Sequence, residues 1–446
     1  MVIYYLYGVK FVEIHNTPSI NMLFERRKYL DLLIEGKGNG LVKIITGIRR
    51  CGKSFLLFEL FRKHLLDTGV QESHIIALAL DDWDNRRYQD PDELLKYIKG
   101  CMVSCDSPSD VGTEKYYILL DEVQLLDHFV EVLLSLMHNP VCDVYVTGSN
   151  SKFLSSDVVT EFRGRGDEIR VWPLSFAEYY NALGGDRTAA WKEYYTYGGL
   201  PQTALMGSEQ KRIEYLCNLY ESTYLRDVKE RNGLRNVKGL QELVKVLSSG
   251  IGSMVSVRKI ANTFKSVDGV EMKEDTIRLY MGYLQDAFLI EESVRYDVKG
   301  RKYIGADSKW YFTDMGLRAA VLGFRQQEET HIMENVIYNE LRMRGCRVDV
   351  GVLDTYGRTE EGKTCRQRLE VDFVVNKGIE RIYIQSVYRM PTEEKVEQEL
   401  RSLKQIGDSF RKLVIVGDDI HRKVDENGII TISLLDFLLD KDVVSG

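Results

Sequence analysis

Leu41-Val42-Lys43-Ile44-Ile45-Thr46 runs straight into Gly47-Ile48-Arg49-Arg50-Cys51-Gly52-Lys53-Ser54, and Phe55-Leu56-Leu57-Phe58-Glu59-Leu60-Phe61 follows. The first six residues are apolar and β-branched, as a buried strand requires. The last seven are dense in apolar helix formers. Between them stands GxxxxGK[ST], and strand, loop, helix is the context in which that pattern cradles phosphates. Gly47 and Gly52 let the backbone close round an anion, so that the N–H groups over Ile48, Arg49, Arg50 and Cys51 turn inward. The helix beginning near Lys53 adds its positive end. The Lys53 ammonium is placed to reach the β- and γ-phosphates of ATP, and the Ser54 hydroxyl to hold Mg²⁺. Cys51 lies beside a cation and a helix start, which predicts a reactive thiolate; a small residue chosen for packing is the alternative.

A second stretch, Tyr116-Tyr117-Ile118-Leu119-Leu120-Asp121-Glu122, drives four apolar residues into two acids. A buried strand ending this way puts both carboxylates at the carboxyl edge of the sheet, where open α/β sheets bind ligands. Asp121 is expected to hold Mg²⁺ through water and Glu122 to act as general base on the attacking water. Val144-Tyr145-Val146-Thr147-Gly148-Ser149-Asn150 predicts another strand, after which Ser149 or Asn150 either orients that water or caps the next helix, expected over 151–162. Arg163-Gly164-Arg165-Gly166 then sets two arginines on a turn before a strand at 168–171. Arg163 and Arg165 either stabilise γ-phosphate charge, within the chain or across to a neighbour, or stand as solvated loop charges.

The remaining composition narrows the class. A chain of 446 residues exceeds one core, so several domains are expected. The net charge of −7 provides no global basic field, so any nucleic-acid contact must be a local patch. Seven cysteines without a CxxC pair indicate neither a disulfide frame nor a zinc site, and fit a reducing cytoplasm. Cys101 and Cys105 are read as one helix face. No run approaches the ~20 apolar residues of a membrane span. The apolar start, residues 1–7, has no basic lead or clear cleavage site, so it is not read as a signal peptide, and Met22 is a candidate native start that the sequence leaves open.

Helices are expected at 24–34 and 92–98, with a strand at 75–80 closed by Asp81 and Asp82. Taken together, IITGIRRCGKS, LLDEVQ (119–124), VTGSNS (146–151), FRGRG before VWPLSFAEYY (171–180), YGGLP (197–201), YLRDVKERNGLRN (224–236), KWYFTDMGLR (309–318) and EVDFVV (370–375) resemble the prokaryotic AAA-type ATPases with a C-terminal domain of unknown function, DUF4143. The resemblance runs over nearly the whole chain from Met22. It implies an α/β P-loop NTPase core of AAA type with an added strand, and the roles argued above for Lys53, Ser54, Asp121, Glu122 and one of Arg163 and Arg165.

Helices over 198–230 read as a lid. Val257, Ile260, Ala261 and Phe264, then Ile277, Tyr280, Met281 and Leu284, fall at helical spacing. With strands at 294–298 and 309–313 about a Lys299-Gly300 turn, they make a winged helix whose tip carries Lys299, Arg301 and Lys302. That tip serves either DNA or packing. Beyond it, a helix with Glu334, strands at 348–352, 368–375, 381–387 and 413–416, a helix at 392–406 and a polar excursion at 354–367 resemble a restriction-endonuclease-like core. Glu334, Asp372 and Gln385 match that core's metal-ligand positions, whereas Val387 stands where its lysine is expected; Arg389 shares that face. DNA cleavage is therefore not expected. The expected domains are 22–180 (ATPase core), 181–235 (lid), 236–325 (winged helix) and 326–446 (nuclease-like). The expected function is Mg²⁺-dependent ATP hydrolysis acting as a switch, with ATP-driven DNA binding or processing as the alternative. ATP is the expected ligand, DNA and a protein stand as open partners, and no membrane is expected.

Overall fold

The structure is a computed structural model and describes residues 3–6, 9–12, 24–105, 115–148, 164–234, 237–266, 272–325, 328–358, 364–390 and 392–444. The chain divides into two compact units, Met1–Val171 with Glu178–Gly184, and Trp172–Ala177 with Gly185–Gly446. The expected helix at 151–162, together with Ser149, Asn150 and Arg163, lies outside the described residues.

In the first unit, strands β1 (Ile3–Leu6) and β2 (Val9–Val12) pair antiparallel. Helix α1 (Arg27–Glu35) precedes the main sheet. That sheet holds β3 (Val42–Thr46), β4 (Ile75–Ala79), β5 (Tyr116–Asp121), β6 (Cys142–Thr147) and β7 (Gly166–Arg170), in the order β4-β5-β6-β3-β7. Every pairing is parallel. Parallel sheets are covered on both faces, which is why β3, β5 and β6 are buried at every position. Ile44, Ile76, Ile118, Leu120, Val144 and Val146 pack with Leu94 and Ile98 of α3 (Pro91–Cys105) and Leu133 of α4 (Phe129–Met137). The helix after the loop, α2, is continuous over 53–67, with a π-helical turn at Leu56–Phe61.

A buried ion pair sits inside this core. Lys43 is fully buried in β3 and ion-paired with Asp143 of β6. Its ammonium also donates to the Leu41 carbonyl at 2.8 Å and lies 4.5 Å from the Tyr145 ring centre. The Tyr145 hydroxyl and the Gly38 N–H donate to Asp143 Oδ2 at 3.0 and 2.9 Å. Burial holds the Lys43 ammonium below its ordinary pKa, opposed by Asp143.

The second unit carries helices at Arg187–Tyr197, Pro201–Ala204 and Glu209–Leu219, then a nine-stranded sheet ordered β15-β16-β14-β13-β12-β11-β9-β10-β8. Its members are β8 (Met254–Val255), β9 (Ile290–Asp297), β10 (Lys302–Phe312), β11 (Arg347–Arg358), β12 (Thr364–Lys377), β13 (Glu380–Val387), β14 (Arg411–Val416), β15 (Lys423–Val424) and β16 (Ile430–Ser433). Helices α5 (Val257–Ser266) and α6 (Glu274–Asp286) turn the expected stripes inward: all eight residues named above are buried. The β9–β10 hairpin is not a free ribbon. Arg295, Tyr296 and Asp297 of β9 pair parallel with Val350, Gly351 and Val352 of β11, so the hairpin and the later strands form one sheet.

The stretch 354–367 also departs from expectation. Residues 354–358 and 364–367 are no excursion: β11 and β12 continue their ladder from Asp354↔Arg368 out to Arg358↔Thr364. Asp354 is ion-paired with Arg366 and, at 3.3 Å, with Arg368. Polar cross-strand pairs supply what an apolar face would otherwise give.

Helices α7 (Met315–Val321) and α8 (Glu329–Met343) lie between β10 and β11. Asp314 caps α7, accepting the Leu317 N–H at 3.0 Å, and also accepts the Gly199 N–H at 2.7 Å. A Cβ at Gly198, where φ is +78°, would meet Asp314 Oδ1 at 2.2 Å, so the YGGLP and TDMG segments meet with no room for a side chain. Helix α9 (Glu393–Lys404) links β13 to its parallel partner β14, and the core there gathers Leu353, Val371, Tyr383, Leu400 and Val414. Among the described residues no helix is long and apolar enough to cross a membrane. Cys51, Cys101, Cys142, Cys217 and Cys346 are free thiols.

Candidate functional site

β3 delivers the loop to the carboxyl edge of the sheet. Gly47 has φ +136°, and a Cβ there would sit 2.0 Å from the Val171 carbonyl oxygen, so only glycine fits. Arg50 and Gly52 also take positive φ, at 66° and 98°, which winds the loop into the start of the 53–67 helix. Ile48 and Cys51 are buried and anchor it. The Lys53 side chain folds back inside the loop, and its ammonium donates to the Gly47 and Ile48 carbonyls at 3.0 and 3.2 Å. Arg49 is half-buried and Arg50 exposed.

Cys51 corrects an expectation. Its thiol is fully buried and donates to the Val171 carbonyl at 3.4 Å. Burial closes the path to reagents. The residue serves packing.

β5 brings the acids to the same edge. Asp121 is buried and accepts hydrogen bonds from the Thr147 and Ser54 hydroxyls. Burial pushes its pKa up, opposed by those two donors. Glu122 takes the left-handed conformation at φ 52°, and its N–H donates to Thr147 Oγ1 at 3.1 Å. The Gln124 amide donates to Glu122 Oε2. Asp81 follows β4 on the neighbouring strand, where Ala79 pairs with Asp121. Its pKa is raised by burial first and by Glu122 second. Thr147, Gln124 and Asp81 were not legible as site residues, because only the register of β4, β5 and β6 sets them beside Asp121 and Glu122.

Arg165 lies elsewhere. The Val42 N–H donates to the Arg165 carbonyl at 3.0 Å, and Gly166 pairs with Val42, the first residue of β3. Arg165 therefore stands at the amino edge, about 13 Å of strand from the phosphate loop by the strand rise. It cannot attend the nucleotide of its own chain. The arginine that β7 brings to the loop edge is Arg170, paired with Thr46.

These features define a parallel-sheet P-loop core. Residues 39–180 match the family model described as AAA domain. Residues 188–328 match a domain of unknown function, DUF8612, where the sequence motifs had suggested kinship with DUF4143 chains. An uncharacterized protein of Haemophilus influenzae is 30% identical over 422 residues, 94% of this chain and 99% of that protein. The uncharacterized protein MJ1544 of Methanocaldococcus jannaschii is 27% identical over 379 residues, 81% of this chain and 77% of its own. A solved Walker-type ATPase of Pyrococcus abyssi has a TM-score of 0.49 at 15% identity, with 69% of this chain and 99% of that one covered. The chain belongs with the Haemophilus protein in one family, and residues 39–180 of this chain carry an AAA-type P-loop ATPase core.

Proposed function

We propose that this chain binds MgATP at 47–54 and hydrolyses it, and that nucleotide state acts as a switch on its later domains. The observation that carries the reading is the Lys53 ammonium, held on two loop carbonyls beside the hydrogen-bonded Ser54–Asp121 pair. A lysine bonded to neutral carbonyls gains by exchanging them for phosphate oxygens, since charge-assisted bonds are the stronger. The donor set fits the ligand: a buried cation, and a hydroxyl–carboxylate pair of the oxygen type that Mg²⁺ prefers. Ser54 and Asp121 would hold that ion. Glu122 would take the proton of the attacking water, once its carboxylate leaves Gln124. Asn150 and Arg163 are retained as candidates for orienting water and for γ-phosphate charge, and Arg165 only toward a neighbouring chain. Purified protein incubated with MgATP should release phosphate, and Lys53→Ala should lose both nucleotide binding and release. A Lys53→Ala chain that binds ATP as the parent does contradicts the reading.

The domain reading continues from the sequence: core 22–180, lid 181–235, winged helix 236–325 and nuclease-like domain 326–446. The order β8, α5, α6, β9, β10 supports the third, and α8 followed by β11–β13, α9 and β14 supports the fourth. A second function, ATP-linked DNA binding, is favoured by Lys299, Arg301 and Lys302, all exposed at the hairpin tip. Duplex binding that weakens steeply with salt and with substitution of those three would establish it.

A further inference from the structure

A nuclease-like sheet implies a divalent metal between Glu334, Asp372 and Gln385. The side chains present do not fit one. The space between the carboxylates is taken by a lysine that comes from another strand, β10. Lys309 Nζ lies 2.9 Å from Glu334 Oε1, 2.7 Å from Glu370 Oε1 and 3.6 Å from Asp372 Oδ1. The remaining valences are committed too. The Tyr311 hydroxyl donates to Glu334 Oε1 at 2.6 Å, and the Ser386 N–H donates to Asp372 Oδ2 at 2.8 Å. Gln385 turns its amide oxygen toward the Ser402 hydroxyl at 3.5 Å. Among the described residues, no three His, Cys, Asp or Glu side chains converge as metal ligands do.

We propose that the Lys309 ammonium is the resident cation of the Glu334–Glu370–Asp372 cluster, standing where a nuclease would hold its metal. The cluster is then a clasp that ties hairpin strand β10 to α8 and β12, and the domain holds no catalytic metal there.

The backbone prepares this placement. The β9–β10 ladder breaks between Ile304 and Lys309 and resumes at Lys309↔Ser293, while Lys309 also pairs with Met254 of β8. A register shift of this kind re-aims the side chains beyond it. Lys309 is 3% exposed, so its charge is repaid by the carboxylates and not by water. Burial alone would lower its pKa; Glu334, Asp372 and Glu370 outweigh that and hold it above the ordinary lysine value. A divalent ion on the same oxygens would lie against a permanent positive charge.

The test is Mn²⁺ binding to the nucleotide-free full chain, followed by electron paramagnetic resonance. Wild type and Glu370→Gln should bind the same number of ions, because the cluster takes none. Lys309→Ala should bind one more, and that ion should be lost again in Lys309→Ala/Glu370→Gln. An ion bound by wild type and lost in Glu370→Gln overturns the proposal, and so does a folded Lys309→Ala that gains no ion. If Lys309→Ala fails to fold, wild type against Glu370→Gln decides alone, since the Glu370 side chain is 39% exposed and its replacement is tolerable.

Discussion

Thr147 donates its hydroxyl proton to Asp121 Oδ1, and its own Oγ1 accepts the Glu122 N–H at 3.1 Å. One side chain at the end of β6 thus sets the orientation of one acid and the backbone of the other. Thr147→Val keeps the shape and removes both bonds. A hydrogen bond to a charged group contributes about 1.5–3 kcal/mol, so turnover should fall roughly tenfold to a hundredfold and the Mg²⁺ concentration needed should rise. Thr147→Ser should restore both. Phosphate release across a Mg²⁺ titration measures this, and a parental Mg²⁺ profile in Thr147→Val would remove Thr147 from the site.

The Lys43–Asp143 pair gives a stability prediction free of nucleotide chemistry. Both side chains are almost wholly buried. Lys43→Met takes the cation from Asp143 and leaves it only the Tyr145 hydroxyl and the Gly38 N–H, a loss of about 3–5 kcal/mol. Lys43→Met with Asp143→Leu should recover much of that, because two apolar groups carry no desolvation cost. Urea midpoints of the three chains decide it; a double variant no better than the single would show that the pair stabilises in its own right.

Asp314 predicts a pH dependence. It is fully buried, and burial pushes its carboxyl up to about 6, against the N–H groups of Leu317, Gly199 and Gly316. Unfolded, it titrates near 4. The folded state therefore binds the proton more tightly. The stabilisation from protonation is full below about pH 4 and lost as pH rises through 6, about 3 kcal/mol in all. Asp314→Asn cannot titrate, so the advantage of wild type over the variant should shrink by roughly 1–2 kcal/mol between pH 5 and pH 7.5. Denaturant unfolding at those two values checks the sign: an advantage that grows with pH means the carboxyl is not raised.

What the sequence could tell depended on where the information lay along the chain. The 41–61 stretch and the 116–122 run were legible because strand, loop, helix and acids are contiguous, and both reach the edge expected of them. Contacts set by register were not. Lys43 looks like an interruption of an apolar strand, yet Asp143 of β6 answers it 100 residues away. Lys309 reads as the polar start of a short strand, while its partners lie on α8 and β12. Arg165 is near the loop by chain order among strands, but β7 runs parallel to β3, so a residue that directly precedes β7 falls at the opposite edge. Residues 354–358 and 364–367 lack an apolar period in sequence, and only their pairing with each other shows them to be a ladder.

The central claim is that Glu122 drives hydrolysis at a site where Lys53 and Ser54 bind. The most direct measurement is single-turnover hydrolysis of ATP beside equilibrium ATP binding, for Glu122→Gln. Substrate should still bind within a few-fold of the parent, while the hydrolysis rate falls by roughly a hundredfold or more, the scale for losing a general base. Hydrolysis at the parental rate in Glu122→Gln would contradict the account.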